Sequence, residues 1–390
     1  MPNIRRLEIV LANPQIVYYS GQCVRGQVIV ELNKDTKMRE IRIKCRGRAY
    51  IYVDSDNQCS QEFIDNTIVL IGKPREETIL PAGNYSYPFE FVLPFGIPGS
   101  LEDPIHRRGY VRYWLKATIE IPWKSDPEYK TLFTVASVLD LNTWPNVVAS
   151  RVKVSDSKTV CCCCCETTPI KATLRIDKTG YVPGEWVVVN AEFQDGTGRG
   201  VAKSQICLEM LTTYRTYSGC ETRSKSHCVV MKHGPVSGGG SDAWVNEQFQ
   251  IPALPPSTLP GCALIFIQYF VEFKVDVVGI PFDLELAIPI TIGTIPLQST
   301  VQMYMPSMWP SPDPVVTQQP YGQPSGASLP FNLPPPSYQE CMFGKVNTKE
   351  YDDRHAGGNM SYAPAYIYYN WMQPLQPSAP PMANVRESSM

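Results

Sequence analysis

Four side chains in the C-terminal quarter have types and a spacing suited to recognition chemistry: Pro335, Pro336, Ser337 and Tyr338. Consecutive prolines favour the polyproline II helix, with three residues per turn. That period sets Pro335 and Tyr338 on one face. An aromatic-lined groove can take the proline ring, and a neighbouring pocket the tyrosine. A ligand that is already extended loses little ordering entropy on docking. WW domains read this P-P-x-Y pattern. The plainer alternative is a proline-rich linker that happens to contain a tyrosine. A degenerate second candidate reads Ala363-Pro364-Ala365-Tyr366, keeping Pro364 and Tyr366 but with alanine in place of the first proline.

Two other constellations have a chemical reading. Arg42, Lys44, Arg46 and Arg48 recur at every second residue, which sets them about 7 Å apart on one strand face. Such a stripe suits an acidic or phosphorylated partner or anionic lipid. A solvated face with cross-strand ion pairs is the competing reading. The run Cys161 to Cys165 is open to three: packed small apolar residues, S-acylation at a membrane, or metal binding through C-x-x-C spacing. A zinc site needs a second pair, for which Cys220, His227 and Cys228 are only a loose set, so no metal and no other cofactor is expected.

Catalytic signatures are lacking. The four histidines (His106, His227, His233 and His355) form no zinc-hydrolase motif, and there is no G-x-S-x-G elbow. Gly238-Gly239-Gly240 is not followed by Lys and Ser or Thr, so it reads as a hairpin loop rather than a phosphate cradle. A non-enzyme with no small-molecule substrate is expected. A net charge of -2 gives no basic field for nucleic acid. The N-terminus shows neither an apolar signal core nor a myristoylation pattern, and the C-terminus no prenylation box. The expected location is cytoplasmic, peripheral to plasma membrane and endosomes.

The elements that must position these residues are strands. From Glu40 to Val53, odd positions carry Ile41, Ile43, Cys45, Ala49 and Ile51, while even positions from 42 to 52 are basic or aromatic. Period-two alternation of this length places one face on a core. Similar segments recur at 26–32, 85–93, 110–121, 186–193, 206–214 and 266–277, separated by turn residues. A weak repeat relates the halves. Tyr19-Ser20-Gly21 and the strand after it resemble Tyr181-Val182-Pro183-Gly184-Glu185 and its strand, and each half continues with a Phe-x-x-Pro-type turn and a long aromatic strand. The expectation is all-β: two tandem immunoglobulin-like sandwiches at 1–150 and 169–298, with a junction at 151–168. From 299 to 390 the chain holds 15 of its 36 prolines and only 10 charged residues, so this segment is expected to be a disordered tail.

Taken together, these features resemble the arrestin domain-containing proteins, the α-arrestins. The resemblance rests on Val17-Tyr18-Tyr19-Ser20-Gly21-Gln22 with Arg25-Gly26, on Gly109-Tyr110-Val111-Arg112-Tyr113-Trp114-Leu115-Lys116-Ala117, on the cysteine run before Pro169, on Gly180 to Glu185, and on the tail P-P-x-Y. It implies arrestin-like sandwiches and a tail that recruits WW-domain ubiquitin ligases of the HECT type. It also implies an adaptor bringing such a ligase to membrane receptors or transporters, for ubiquitination, endocytosis and sorting. Relatives often carry two P-P-x-Y copies; here Ala363 breaks the second. A reading from another class is a retromer-like coat or scaffold subunit with an incidental proline motif.

Overall fold

The computed structural model describes residues 3–13, 16–159, 168–279, 283–304, 337–353 and 355–371. The first sandwich uses β1 (Ile4–Leu11), β2 (Val17–Tyr19), β3 (Cys23–Leu32), β4 (Thr36–Met38), β5 (Glu40–Tyr52), β6 (Gln58–Gly72), β7 (Thr78–Leu80), β8 (Gly83–Val92), β9 (Leu101–Glu102), β10 (Gly109–Ile119) and β11 (Glu128–Ala136). One sheet runs β1-β3-β8 and the other β2-β11-β10-β5-β6, with β9 beside β10 and β4 paired to β7. On β5 the alternation holds: Ile41, Ile43, Cys45, Ala49 and Ile51 are buried. Gly47 interrupts the apolar side because a Cβ there would stand 2.4 Å from the Tyr113 ring. That ring fills the space, and its hydroxyl donates to Pro98 O at 2.7 Å.

The second sandwich repeats the plan with β12 (Val152–Lys158), β13 (Ile170–Ile176), β14 (Gly180–Tyr181), β15 (Trp186–Gln194), β16 (Val201–Arg215), β17 (Glu221–His233), β18 (Ser241–Gln250), β19 (Ile265–Val277) and β20 (Leu284–Ile292). Its sheets run β12-β13-β15-β18 and β14-β20-β19-β16-β17. The repeat is visible in detail. Tyr269 on β19 donates to Pro255 O at 2.7 Å, as Tyr113 on β10 does to Pro98. Gln22 Oε1 accepts from Tyr19 N, and Glu185 Oε2 accepts from Val182 N, each across a tight turn with a left-handed glycine, Gly21 or Gly184.

The segment 151–168, expected as a junction, already contains β12, which pairs residue by residue with β13 and is an edge strand of the second sandwich. Its charged sequence, Val152-Lys153-Val154-Ser155-Asp156-Ser157-Lys158, masks a strand because only one face is covered. Cys161–Cys165 lie outside the described residues.

The tail differs from a uniformly unstructured segment. Residues 305–336 and 372–390 lie outside the described residues, but α1 (Gln298–Tyr304), β21 (Ser337–Glu340), β22 (Val346–Asn347), β23 (Ala356–Gly357), β24 (Ser361–Tyr362) and β25 (Ala365–Tyr368) all form. Composition averaged over the whole tail conceals this. Between 337 and 371 the only proline is Pro364, and the tyrosines alternate as in a strand. Residues 337–353 and 355–371, here called the strap, lie along both sandwiches.

A buried pair ties α1 to the second sandwich. Lys178 Nζ contacts Glu185 and the Thr300 hydroxyl, and Thr300 Oγ1 donates to Glu185 Oε1 at 3.1 Å. Burial pushes the Glu185 carboxyl up, partly offset by Lys178. Lys178→Met leaves that carboxylate buried and uncompensated. It should cost about 3–5 kcal/mol in chemical denaturation, and the Lys178→Met, Glu185→Gln double variant should regain part of the loss.

Candidate peptide-docking site

The site grows from the outer face of β5, β10 and β11. Register sets Arg48 directly opposite Arg112, and Lys116 opposite both Lys44 and Lys130. Like charges opposed on adjacent strands repel unless neutralised. Inside the first sandwich, Asp65 takes Lys44 at 2.8 Å, Glu128 takes Lys116 at 2.7 Å and Glu102 takes Arg112 at 2.5 Å. The strap supplies the rest. Both Glu350 carboxylate oxygens accept from Arg48 at 2.8 Å, and Oε1 also accepts from the Tyr110 hydroxyl at 2.7 Å. Asp353 takes Lys130 at 2.6 Å, with both side chains only 4% exposed. Aromatic faces complete the cradle: Lys130 Nζ lies 4.8 Å from the Trp114 ring centre, and the Arg112 guanidinium 3.7 Å from that of Tyr110.

The remaining strap contacts are mostly tyrosine hydroxyls and backbone. Tyr362 Oη lies 3.2 Å from Thr134 Oγ1, Ala365 N donates to Thr134 Oγ1 at 3.1 Å, and Tyr366 Oη donates to Ser100 O at 3.1 Å. Tyr369 N donates to Pro183 O at 3.0 Å, and Tyr369 Oη to Thr294 O at 2.7 Å. Gly184 permits that approach: its φ is +90°, and a Cβ would stand 1.9 Å from Tyr369 O. The strap also extends the edge of the first sandwich, because β23 pairs in parallel with the start of β11.

Tyr338 belongs to this assembly. In β21 it pairs antiparallel with Ile367 of β25, and its hydroxyl lies 2.9 Å from that of Tyr19. Its ring packs against the cluster of Leu139, Leu141, Val182, Ile367, Tyr369 and Trp371. The Ser337 hydroxyl donates to Tyr368 O at 2.7 Å. Pro335 and Pro336 lie outside the described residues.

Other expected site residues are placed differently. Pro364 is buried and Tyr366 is 6% exposed. The degenerate second WW candidate is therefore a packing anchor here, because its tyrosine points from β25 into the sandwich, with its hydroxyl on Ser100 O. The basic stripe is compensated residue by residue: Arg42 by Glu40 and Glu120, Lys44 by Asp65, Arg46 by Glu62 and Asp65, and Arg48 by Glu350. The structure thus favours its paired reading, with one of the partners coming from the strap. His227 is exposed while its neighbour Cys228 points into the core, so the two face opposite sides of β17. Among the described residues, no three His, Cys, Asp or Glu side chains gather as a metal set.

Sequence reasoning missed Arg112, Lys116, Lys130, Glu350 and Asp353. The available signal was the basic alternation of β10 beside that of β5, two like-charged strands needing carboxylates from elsewhere.

Two outcomes follow for the strap. Tyr366→Phe should weaken it by about 1 kcal/mol, the net worth of one hydrogen bond, and Tyr366→Ala by about 3 kcal/mol or more through the cavity left. Amide exchange across 337–371 measures both. The second outcome concerns acid. Burial pushes the Glu350 carboxyl up, but the Tyr110 hydroxyl and the Arg48 and Lys130 charges outweigh it, and the net pKa is lowered. For Asp353 burial is likewise outweighed, by Lys130 and Lys116. Depressed carboxylates stabilise the docked strap above their ordinary values, about 4, and that contribution fades as pH falls through the lowered ones. Buried Glu102 beside Arg112 has a raised pKa and protonates earlier. Tryptophan fluorescence should show a step below about pH 4 that E350Q/D353N lacks.

Comparison with known proteins agrees with this architecture. Residues 7–142 match the arrestin (or S-antigen) N-terminal domain and residues 166–297 the arrestin (or S-antigen) C-terminal domain. Arrestin domain-containing protein 17 of Caenorhabditis elegans is 28% identical over 436 aligned residues, covering 95% of this chain and 100% of that protein. Human arrestin domain-containing protein 1 is 27% identical over 76% of this chain and 66% of its own length. Human thioredoxin-interacting protein is 28% identical over 75% of each. With two matched domains folded as two repeated sandwiches, this chain belongs to the arrestin-domain family.

Proposed function

We propose that the protein is a non-catalytic trafficking adaptor. In this reading Pro335, Pro336 and Tyr338 dock a WW domain of a HECT-type ubiquitin ligase. The paired sandwiches engage a membrane receptor or transporter, which is then ubiquitinated, internalised and sorted. The carrying observation is a P-P-x-Y motif attached to an arrestin-domain body. One human relative is itself named for an interaction with another protein, which suits a family of binding proteins. An adaptor acts by effective concentration: holding a ligase close to cargo lysines makes transfer nearly intramolecular. Action at plasma membrane and endosomes would be peripheral; among the described residues no helix is long and apolar enough to cross a bilayer.

The test is calorimetric titration of a peptide spanning 330–345 into an isolated WW domain. Tyr338→Ala should cost about 2 kcal/mol or more, since an aromatic anchor in a pocket is a typical hot spot. Pro335→Ala should cost nearly as much, because it removes a ring and the preset backbone angle. Ser337→Ala should change the peptide's affinity little. Equal affinity for wild type and Tyr338→Ala would remove the adaptor's anchor.

A further inference from the structure

The WW motif and the strap share a residue. In the folded chain Tyr338 uses its backbone to pair with Ile367, its hydroxyl to meet Tyr19, and its ring to pack beside Tyr369 and Trp371. A WW domain needs the same residue in a polyproline II backbone, which has no inter-strand pairing, and needs the same ring in its own pocket. One tyrosine cannot serve both at once.

We propose that the outer face of β5, β10 and β11, with the Tyr19 and Pro183 turns, is a peptide-docking surface whose resident ligand is the chain's own strap, and that strap and WW domain compete for Tyr338. This inference rests on the WW reading above. The occupant is argued from complementarity. Two strap carboxylates, Glu350 and Asp353, meet Arg48, Arg112, Lys116 and Lys130, whose opposed register leaves positive charge that the first sandwich's own acids do not fully cover. Tyr362, Tyr366 and Tyr369 spend their hydroxyls on sandwich atoms. β21 is held by its pairing with β25, by the Tyr19 hydroxyl and by the packing of the Tyr338 ring, so the hold on Tyr338 depends on how firmly β25 and the 350–353 turn stay down.

The consequence is a tax on ligase recruitment. If the binding-competent form is a fraction of the population, the apparent dissociation constant rises by the inverse of that fraction. Substitutions far from the motif that loosen the strap must then tighten WW binding, although they touch no WW contact. By linkage, WW binding must in turn loosen the strap.

The experiment titrates one WW domain into three partners: the full chain, the full chain carrying E350Q/D353N, and the 330–345 peptide. The wild-type chain should bind about tenfold more weakly than the peptide, and E350Q/D353N should close several-fold of that gap. Amide exchange on the wild-type chain gives a second readout that does not depend on a variant folding. Saturating WW domain should deprotect 361–369 as well as 337–340. Full chain and peptide binding equally, with 361–369 still protected, overturns the competition while leaving the WW reading intact. A peptide that does not bind leaves no motif to mask, and both readings fall together.

Discussion

Opposed cations on neighbouring strands govern this molecule's outer surface. An antiparallel register fixes which side chains face each other, and here it sets Arg48 against Arg112 and Lys116 against Lys44 and Lys130. The sandwich cannot shift them apart, because a slip of one residue would turn every core side chain of β10 outward. The repulsion therefore has to be met by carboxylates. Glu102, Asp65 and Glu128 lie within the first sandwich, but Lys130 finds its only ion-pair partner among the described residues in Asp353, more than 200 positions along the chain. A local electrostatic constraint is resolved by a long-range contact, and the long-range contact gives the C-terminal segment its path.

A second theme is the tyrosine hydroxyl as a pin. Tyr113 and Tyr269 fasten each sandwich's central strand to the proline-containing loop before it. Tyr214 of the second sandwich donates to Asp103 of the first at 2.7 Å, and Gln61 bonds the backbone at Gly261 and Ala263, so directional bonds join the two bodies. The strap uses the same device in Tyr362, Tyr366 and Tyr369. A tyrosine suits this because its ring supplies buried apolar area while its hydroxyl reaches a carbonyl that would otherwise be unsatisfied.

The sandwich pair was legible because burial on one face writes period two into the sequence. Glu40 to Val53 and Gly109 to Ile119 show it at a glance. β12 and β17 were harder, since they carry polar residues on most positions and only their partners reveal them as strands. The proposed recognition motif, Pro335, Pro336 and Tyr338, is read from the sequence alone. The basic stripe was legible as a stripe, but its partners were not, because ion pairing depends on register between strands distant in sequence. The strap was obscured by averaging: the prolines of 306–336 and 374–381 dominate the composition, whereas 361–369 alternates aromatic and small residues like any edge strand.

The turns that mark the family likeness acquire a physical role from the strap. Tyr19 ends the Val17-Tyr18-Tyr19 strand, and its turn is fixed by Gln22, so the Tyr19 hydroxyl is delivered to one place, where Tyr338 meets it. In the second sandwich the equivalent turn is fixed by Glu185, and its glycine, Gly184, leaves the gap into which the Tyr369 backbone fits. A side chain at Gly184 would be strained by the backbone angle and would strike Tyr369 as well. The duplicated turn therefore presents two different surfaces, a hydroxyl in one half and bare backbone in the other. The strap bridges them with residues 338 and 369, which are 31 positions apart and joined by the β21–β25 ladder. Loss of either turn contact lengthens the span that the remaining one must hold. This is why the grip on Tyr338 involves both sandwiches.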